Sequence, residues 1–419
     1  MILVCFIYVF TLVFLHKLYR SFVAPPVFFL LYWTIQLFIP MIFAGSFYYS
    51  GSAFLFIYLC VLSFAVGFVL TSGYTGTTAE GMSKLLRRRI TGNRIPLLRV
   101  QLILLVFNAV LAVYELKQYG YSITKIQSLA AIETISRDIS LARLDGTVSE
   151  GGLASILKVP FYTSFLLSGI LVRTVKGKFL YKYLNFFIGL FLMLITTKKT
   201  YLLYPLVLFF STWLLLPPET APGEKRSFKF SRVAKISLLC ITLIGLFLYA
   251  QANRYGMKLG SDSIVFERMK VYFFGHASVF SIWYDHQAAF DHYEFGKYNF
   301  SSIISVITQD DLKEGIFTDF TNLDAESLRS NIYTAYRGWL EDFGYYSLIV
   351  HFFFGFLVGI IYKEYRLRQS NLSFVLLAAF YTYVLWSFVI NPFNYTTILL
   401  AYILLAVNLQ LWNKKPVSS

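Results

Sequence analysis

Apolar runs recur along this chain at lengths set by a lipid bilayer. They fall near 1–16, 24–44, 52–71, 97–115, 159–175, 179–197, 201–216, 234–251, 344–362, 372–391 and 394–412. At about 1.5 Å of rise per residue, roughly 20 such residues cross the ~30 Å hydrocarbon layer. The pattern predicts eleven transmembrane helices, of which the first, fifth and seventh are short for a full crossing. Two polar stretches are long, 116–158 and 252–343. The first contains SITKIQSLAAIETISRDISLARLDG, helix-patterned from Ser122 to about Gly146. The second contains a predicted helix from Asp262 to about His286, then closes on SLRSNIYTAYRGWLEDFGYYSLIVHFFFGFLVGIIYKEY (327–365). There a polar, helix-patterned segment runs straight into an apolar span. Arg329, Tyr333 and Arg337 recur at steps of four, which on a helix places them on one face, as do Arg268, Tyr272 and His276 on the preceding helix.

Composition agrees with the runs. Hydrophobic residues make up 57% of the chain and aromatic ones 19%, with a mean hydropathy of +0.62, far more apolar than an ordinary soluble domain. The net charge of +15 would suit nucleic acid if it lay on one soluble face, but each basic cluster abuts an apolar run, so nucleic acid is set aside. Topology accounts for the charge instead. With the C-terminus inside, the segments 17–23, 72–96, 173–182, 217–235, 363–371, the tail after 412 and Arg99 hold 22 of the 37 Lys and Arg but only 4 of the 22 Asp and Glu. The inner side then carries net +18 and the outer side −3, a strong positive-inside bias. The N-terminal MILVCFIYVFTLVFLH has its positive residues, Lys17 and Arg20, after the run rather than before it; it reads as a retained first span. Cys5, Cys60 and Cys240 all lie within apolar runs, which gives no disulfide framework or thiolate metal site.

Candidate chemistry collects in the polar stretches. Arginine binds phosphate oxygens through a planar fork, and Tyr and Trp faces suit sugar rings; Tyr333, Trp339, Trp283 and Tyr284 are available for the latter. Interfacial anchoring is the bland alternative for any single one of these residues. Lys198 and Lys199, in TTKKTYLL, fill a tight outward turn with no acidic residue nearby in sequence, against the positive-inside trend. Snorkelling at a helix end or a phosphate clamp would both explain them. His276, Asp285, Asp291, Glu341 and Asp342 are candidates for proton transfer. The adjacent acids Asp310–Asp311 and Glu341–Asp342 fit solvated loops better than a metal site. No P-loop, dinucleotide fingerprint, HExxH or nucleophile elbow occurs, which disfavours nucleotide-driven transport.

Three local features carry a family resemblance. SNIYTAYRGWLEDFGYYSLIVHFFFGFLVGIIY follows the order Asn-x-Tyr-Thr, Asp-Phe-Gly, Gly-containing span; QANRYG precedes the YFFGHASVFSIW helix; TTKKTYLL occupies a turn where relatives place an arginine. Together they resemble the bacterial oligosaccharide repeat-unit polymerases, the Wzy-type O-antigen and capsule polymerases. The resemblance implies an all-α polytopic membrane protein with about eleven transmembrane helices. Two long outward-facing loops containing amphipathic helices complete the architecture, which is like that of GT-C membrane glycosyltransferases. It implies one integral membrane domain over 1–419 in the bacterial inner membrane, with a first outward loop at 116–158, the active site in the outward loop at 252–343, and a cytoplasmic C-terminus.

The implied reaction moves a growing glycan from undecaprenyl pyrophosphate onto the terminal sugar of an incoming lipid-linked repeat unit. Neither a metal nor another cofactor is implied. The partners implied are the lipid-linked oligosaccharides, the bilayer and a polysaccharide chain-length regulator. Pyrophosphate contacts are expected from Arg254, Arg268, Arg337, Lys198 and Lys199, with Arg143 and Arg329 secondary. Tyr272 and Tyr333 are expected against the glycan, and His276, then Asp342, as the base. An O-antigen-ligase-like transferase and a lipid-linked oligosaccharide flippase are the rival readings.

Overall fold

The computed structural model describes residues 2–73, 94–144, 152–216, 242, 245–250, 252, 263–287, 293–308, 317–323, 328–368 and 370–411. Arg254, Asp291, Asp310, Asp311, most of the run at 234–251 and the side chain of Arg143 lie outside them. The described residues form helices α1 (Ile2–Tyr19), α2 (Pro25–Phe43), α3 (Gly51–Ser72), α4 (Arg94–Gln118), α5 (Leu129–Leu144), α6 (Gly152–Thr174), α7 (Phe179–Thr196) and α8 (Thr200–Leu215). Beyond these come α9 (Ser263–His286), α10 (Ser301–Thr308), α11 (Ala335–Phe343), α12 (Ser347–Arg368), α13 (Asn371–Trp386) and α14 (Thr396–Leu411), with a small ribbon pairing Thr321–Asn322 and Arg329–Ser330.

Among the described residues, six helical segments are long and apolar enough to span a membrane: Pro25–Phe43, Gly51–Ser72, Ile95–Gln118, Gly152–Thr174, Phe179–Thr196 and a window within Ala335–Arg368. Four shorter apolar helices correspond to α1, α8, α13 and α14. The chain is an all-α membrane protein on this showing. The fifth run, short in the sequence, is extended: α6 begins at Gly152 and takes in Lys158. In the first polar stretch the helix starts at Leu129 rather than Ser122, because Ser128 Oγ accepts from Ala131 N (3.1 Å) and caps it there.

The chain divides into two compact units, residues 1–89 with 267–419, and residues 90–266. In the first, small residues let α3 and α12 touch backbone to backbone. A Cβ on Gly355 would meet Phe64 O at 1.9 Å, one on Gly67 would meet Phe352 O at 2.0 Å, and one on Gly359 would meet Thr71 Oγ1 at 2.1 Å. Thr71 Oγ1 donates across to Phe356 O (2.8 Å). Lipid offers no hydrophobic force between helices, so this close approach and its van der Waals contact are what hold the pair. The register, Phe64 with Gly355 and Phe68 with Gly359, makes α3 and α12 parallel. Tyr8 donates to Phe54 O (3.1 Å), and Tyr19 meets Ser72 (3.2 Å), so α1 runs parallel to them. α2 pairs with α13 through Tyr32 to Leu385 O (2.8 Å) and Trp33 Nε1 to Ser387 Oγ (3.1 Å).

Described polar segments at one end of this unit tie to one another. Asn391 Nδ2 donates to Asn299 O (3.0 Å), and Ser301 Oγ donates to Asn394 O (3.3 Å). Ala335 N donates to Ser387 O (2.8 Å), and Asp285 accepts from Tyr48 and Ser50 (both 2.7 Å).

The second unit packs α4, α6, α7 and α8 with a polar seam. Gln101 donates to Ser168 (3.1 Å), Asn108 to Ser164 (2.9 Å) and Asn185 to Ser168 (3.0 Å), all five residues fully buried. Such amide–hydroxyl bonds tie spanning helices together where lipid offers no competing partner. α5 covers one end, packing Ile135 and Ile139 on Leu116 and Ile195.

Candidate functional site

In the first unit the site is built around Arg337. It lies on the first turn of α11, a helix that cannot start earlier because Thr334 holds φ +71° and its hydroxyl accepts from Tyr336 N. The expectation of one helical face for Arg329, Tyr333 and Arg337 is therefore corrected. Arg329 stands on the ribbon strand, exposed over Phe320 at 5.2 Å, and Tyr333 lies in extended chain before the helix. The hydroxyl of Thr334 and the ribbon pairing outcompete helix continuation. Tyr333 and Arg337 nevertheless meet, because the turn brings the ring under the guanidinium at 4.1 Å.

Arg337 is buried in an aromatic box. Its guanidinium lies 4.0 Å from the Phe317 ring centre and 4.9 Å from that of Trp283. Nη1 donates to Asp319 Oδ2 (2.7 Å) and Nε to Glu341 Oε1 (3.2 Å). Tyr333 Oη donates to the same Asp319 (3.0 Å), and Asn331 Nδ2 donates to Phe317 O (2.9 Å), fixing one wall. The Asp319 side chain is 54% exposed, against 9% for Arg337. Partial burial pushes the Asp319 carboxyl up, but the bond to Arg337, its charge and the Tyr333 hydroxyl outweigh this and hold it below the usual carboxylate value. Guanidinium carries five N–H donors; two are used in these bonds, which leaves capacity for an oxyanion.

The two expected bases sit elsewhere. Asp342 is fully buried and accepts from Tyr298 N (2.9 Å), Asn299 N (2.9 Å) and Asn299 Nδ2 (2.7 Å). It braces the 296–300 turn, beside Gly344, whose φ is +51° and whose absent Cβ would lie 2.5 Å from Tyr293. His276 is fully buried with its ring 5.4 Å from Phe388. Burial pushes its imidazole down to about 4. On the same helix Arg268 and Tyr272 remain half-exposed, and Asp285 is exposed.

In the second unit Lys198 and Lys199 are both buried, at the end where α7 turns into α8. The turn is made by Thr197 at φ +53°, whose hydroxyl meets Ser140 of α5 at 2.7 Å. The sequence expectation that no acid lies near is corrected: Glu115, fully buried on the last turns of α4, pairs with Lys198 Nζ at 3.4 Å and accepts from Tyr201 Oη. Lys158 and Lys198 lie 5.9 Å and 5.8 Å from the Tyr201 ring centre, and Lys199 lies 5.3 Å from that of Phe247. Three lysines thus share one end of the unit with one carboxylate among the contacts described. Glu115 and Lys158 carried a faint signal, each a charge at the margin of an apolar run; Asp319 carried none, since only the fold brings it 18 residues back onto Arg337.

Comparison with protein-family models, curated proteins and solved structures gives no match.

Proposed function

We propose that the chain is a membrane glycosyltransferase that polymerises lipid-linked oligosaccharide repeat units at the outer face of the bacterial inner membrane. We place it there with eleven spans, the C-terminus inside and the Arg337 end of the first unit outside. The observation that carries the reading is Arg337 itself. A buried cation in an aromatic box, on the short helix that precedes a spanning helix, suits a pyrophosphate held at the membrane surface with sugar beyond it. The lysine group around Glu115 is a second cationic end for the same class of ligand.

In this reading the acceptor hydroxyl oxygen attacks the anomeric carbon of the donor glycan. The bond from that carbon to the pyrophosphate oxygen breaks, and its electron pair leaves with the undecaprenyl pyrophosphate. Arg337 stabilises the departing charge. The hydroxyl proton passes to a carboxylate beside Arg337, Asp319 or Glu341, since His276 and Asp342 are enclosed.

Purified full-length protein given defined lipid-linked repeat units should make longer glycans in detergent. Arg337→Ala should lower the rate on the order of a hundredfold at equal protein level. Lipid moving across vesicles without any lengthening of glycan would instead assign a flippase. A deletion strain separates the ligase reading: single repeat units on the final carrier follow from lost polymerisation, and none at all from lost ligation.

A further inference from the structure

Helix α10, Ser301–Thr308, is built inside out for a polar loop. Its first two serines face the protein: Ser301 Oγ donates to Asn394 O at 3.3 Å, and Ser302 Oγ donates to Phe393 O. Ile303 and Ile307 face away, 50% and 75% exposed, with Phe300 just before them 38% exposed. Water penalises that arrangement, since aliphatic side chains left in solvent forgo the gain of burial. The partner implied must be apolar where α10 faces it and tolerant of nearby polar backbone.

The apolar face does not stand alone. Earlier in the same stretch Phe295 and Tyr293 have ring centres 6.2 Å apart, and Tyr293 meets Tyr346, also at 6.2 Å. Tyr345 and Tyr346 are exposed and stand at the head of α12. From there Ile349, Phe353, Leu357 and Ile360 make an exposed stripe down that helix, spaced by three or four so that they share one face. The stripe belongs to a span, so its exposure is to lipid. Tyrosines at the junction between such a stripe and a loop mark the membrane–water interface.

We propose that α10 is an interfacial helix, lying in the headgroup–acyl boundary with Ile303 and Ile307 against lipid chains. It holds the neighbouring 293–300 turn, and through Asp342 the base of α11, at the bilayer surface. The proposal requires only that the chain is a membrane protein and holds whatever reaction it performs.

The test uses the full chain with its native cysteines replaced, Ile307→Cys labelled with an environment-sensitive fluorophore, in vesicles of phosphatidylethanolamine and phosphatidylglycerol. Nitroxide carried high on the lipid acyl chain should quench the label strongly, and aqueous iodide weakly. A label at Thr318→Cys, exposed on the loop beside Asp319, should show the reverse. Strong iodide quenching at position 307 would place α10 in water and overturn the proposal. Quenching by neither agent would show a protein surface there, such as a second copy of the chain, and would overturn it equally. Because position 307 is already exposed, the substitution leaves packing intact, and the Thr318 label shows what aqueous exposure reads in the same chain.

Discussion

Arg337 and Asp319 behave as a pair whose strength depends on acid. The Asp319 carboxyl is held below its ordinary value, so the folded chain keeps it charged to lower pH than the unfolded chain does. The contact therefore stabilises the site fully above about pH 4, the ordinary carboxyl range, and fades as pH falls through the lowered value. Trp283 lies over the same guanidinium at 4.9 Å, so the ¹⁹F resonance of fluorotryptophan at that position, assigned with Trp283→Phe, should shift on acidification. Asp319→Asn should abolish that shift; its persistence would show that another group titrates. Glu115 makes the complementary case. It is fully buried against Lys198, and removing one member of a buried pair leaves the other charge stranded, at roughly 3–5 kcal/mol. Glu115→Ala should lower the detergent melting temperature sharply, and Glu115→Ala combined with Lys198→Met should recover much of the loss. A double variant no more stable than Glu115→Ala would rule out the pair as the cause.

Helices were legible where periodicity and length spoke together. Ten of the eleven apolar runs coincide with apolar helices among the described residues, and the helix expected at 262–286 is found at Ser263–His286. The segment from 327 was misread because spacing by four is helical only if the backbone is, and Thr334 at φ +71° forbids it there. The partners of Lys198 and Arg337 were invisible because each comes from a distant part of the chain. The glycines of α12 were seen only as a feature of the span, whereas the structure gives them a task, since Gly355 and Gly359 admit the backbone of α3. Gly355→Ala should force the two helices apart, because the new Cβ meets backbone rather than a flexible side chain. A fall of several degrees in melting temperature is expected, with none for Gly152→Ala, where a Cβ meets nothing within 4 Å. Equal stability of the two variants would mean that the α3–α12 approach is not what holds the unit.

For the whole molecule, the direction of two helices bears on the number of crossings between them. α3 and α12 run parallel, with Phe64 beside Gly355 and Phe68 beside Gly359. A chain that leaves α3 on one side of the membrane must therefore return to the other before α12 begins. If every spanning helix crosses once, the stretch between them crosses an odd number of times. In the proposed arrangement the described helices α4, α6, α7 and α8 are four of these crossings. Helix α9 is a poor fifth, since it carries Glu267, Arg268, Lys270 and Asp285, and charges at membrane depth are costly. The run at 234–251 is apolar and of suitable length, so parity and composition support the same segment and the same total of eleven. The consequence is a matched pair of labels. In a chain without native cysteines, Lys225→Cys should react with a membrane-impermeant maleimide only after the cells are opened, and Asp262→Cys should react in intact cells. Thr318→Cys should behave like position 262 and Arg368→Cys like position 225, which sets the sign of the assay independently. Positions 225 and 262 labelling from the same side would remove the crossing at 234–251, and with it the eleven-span arrangement that puts Arg337 outside.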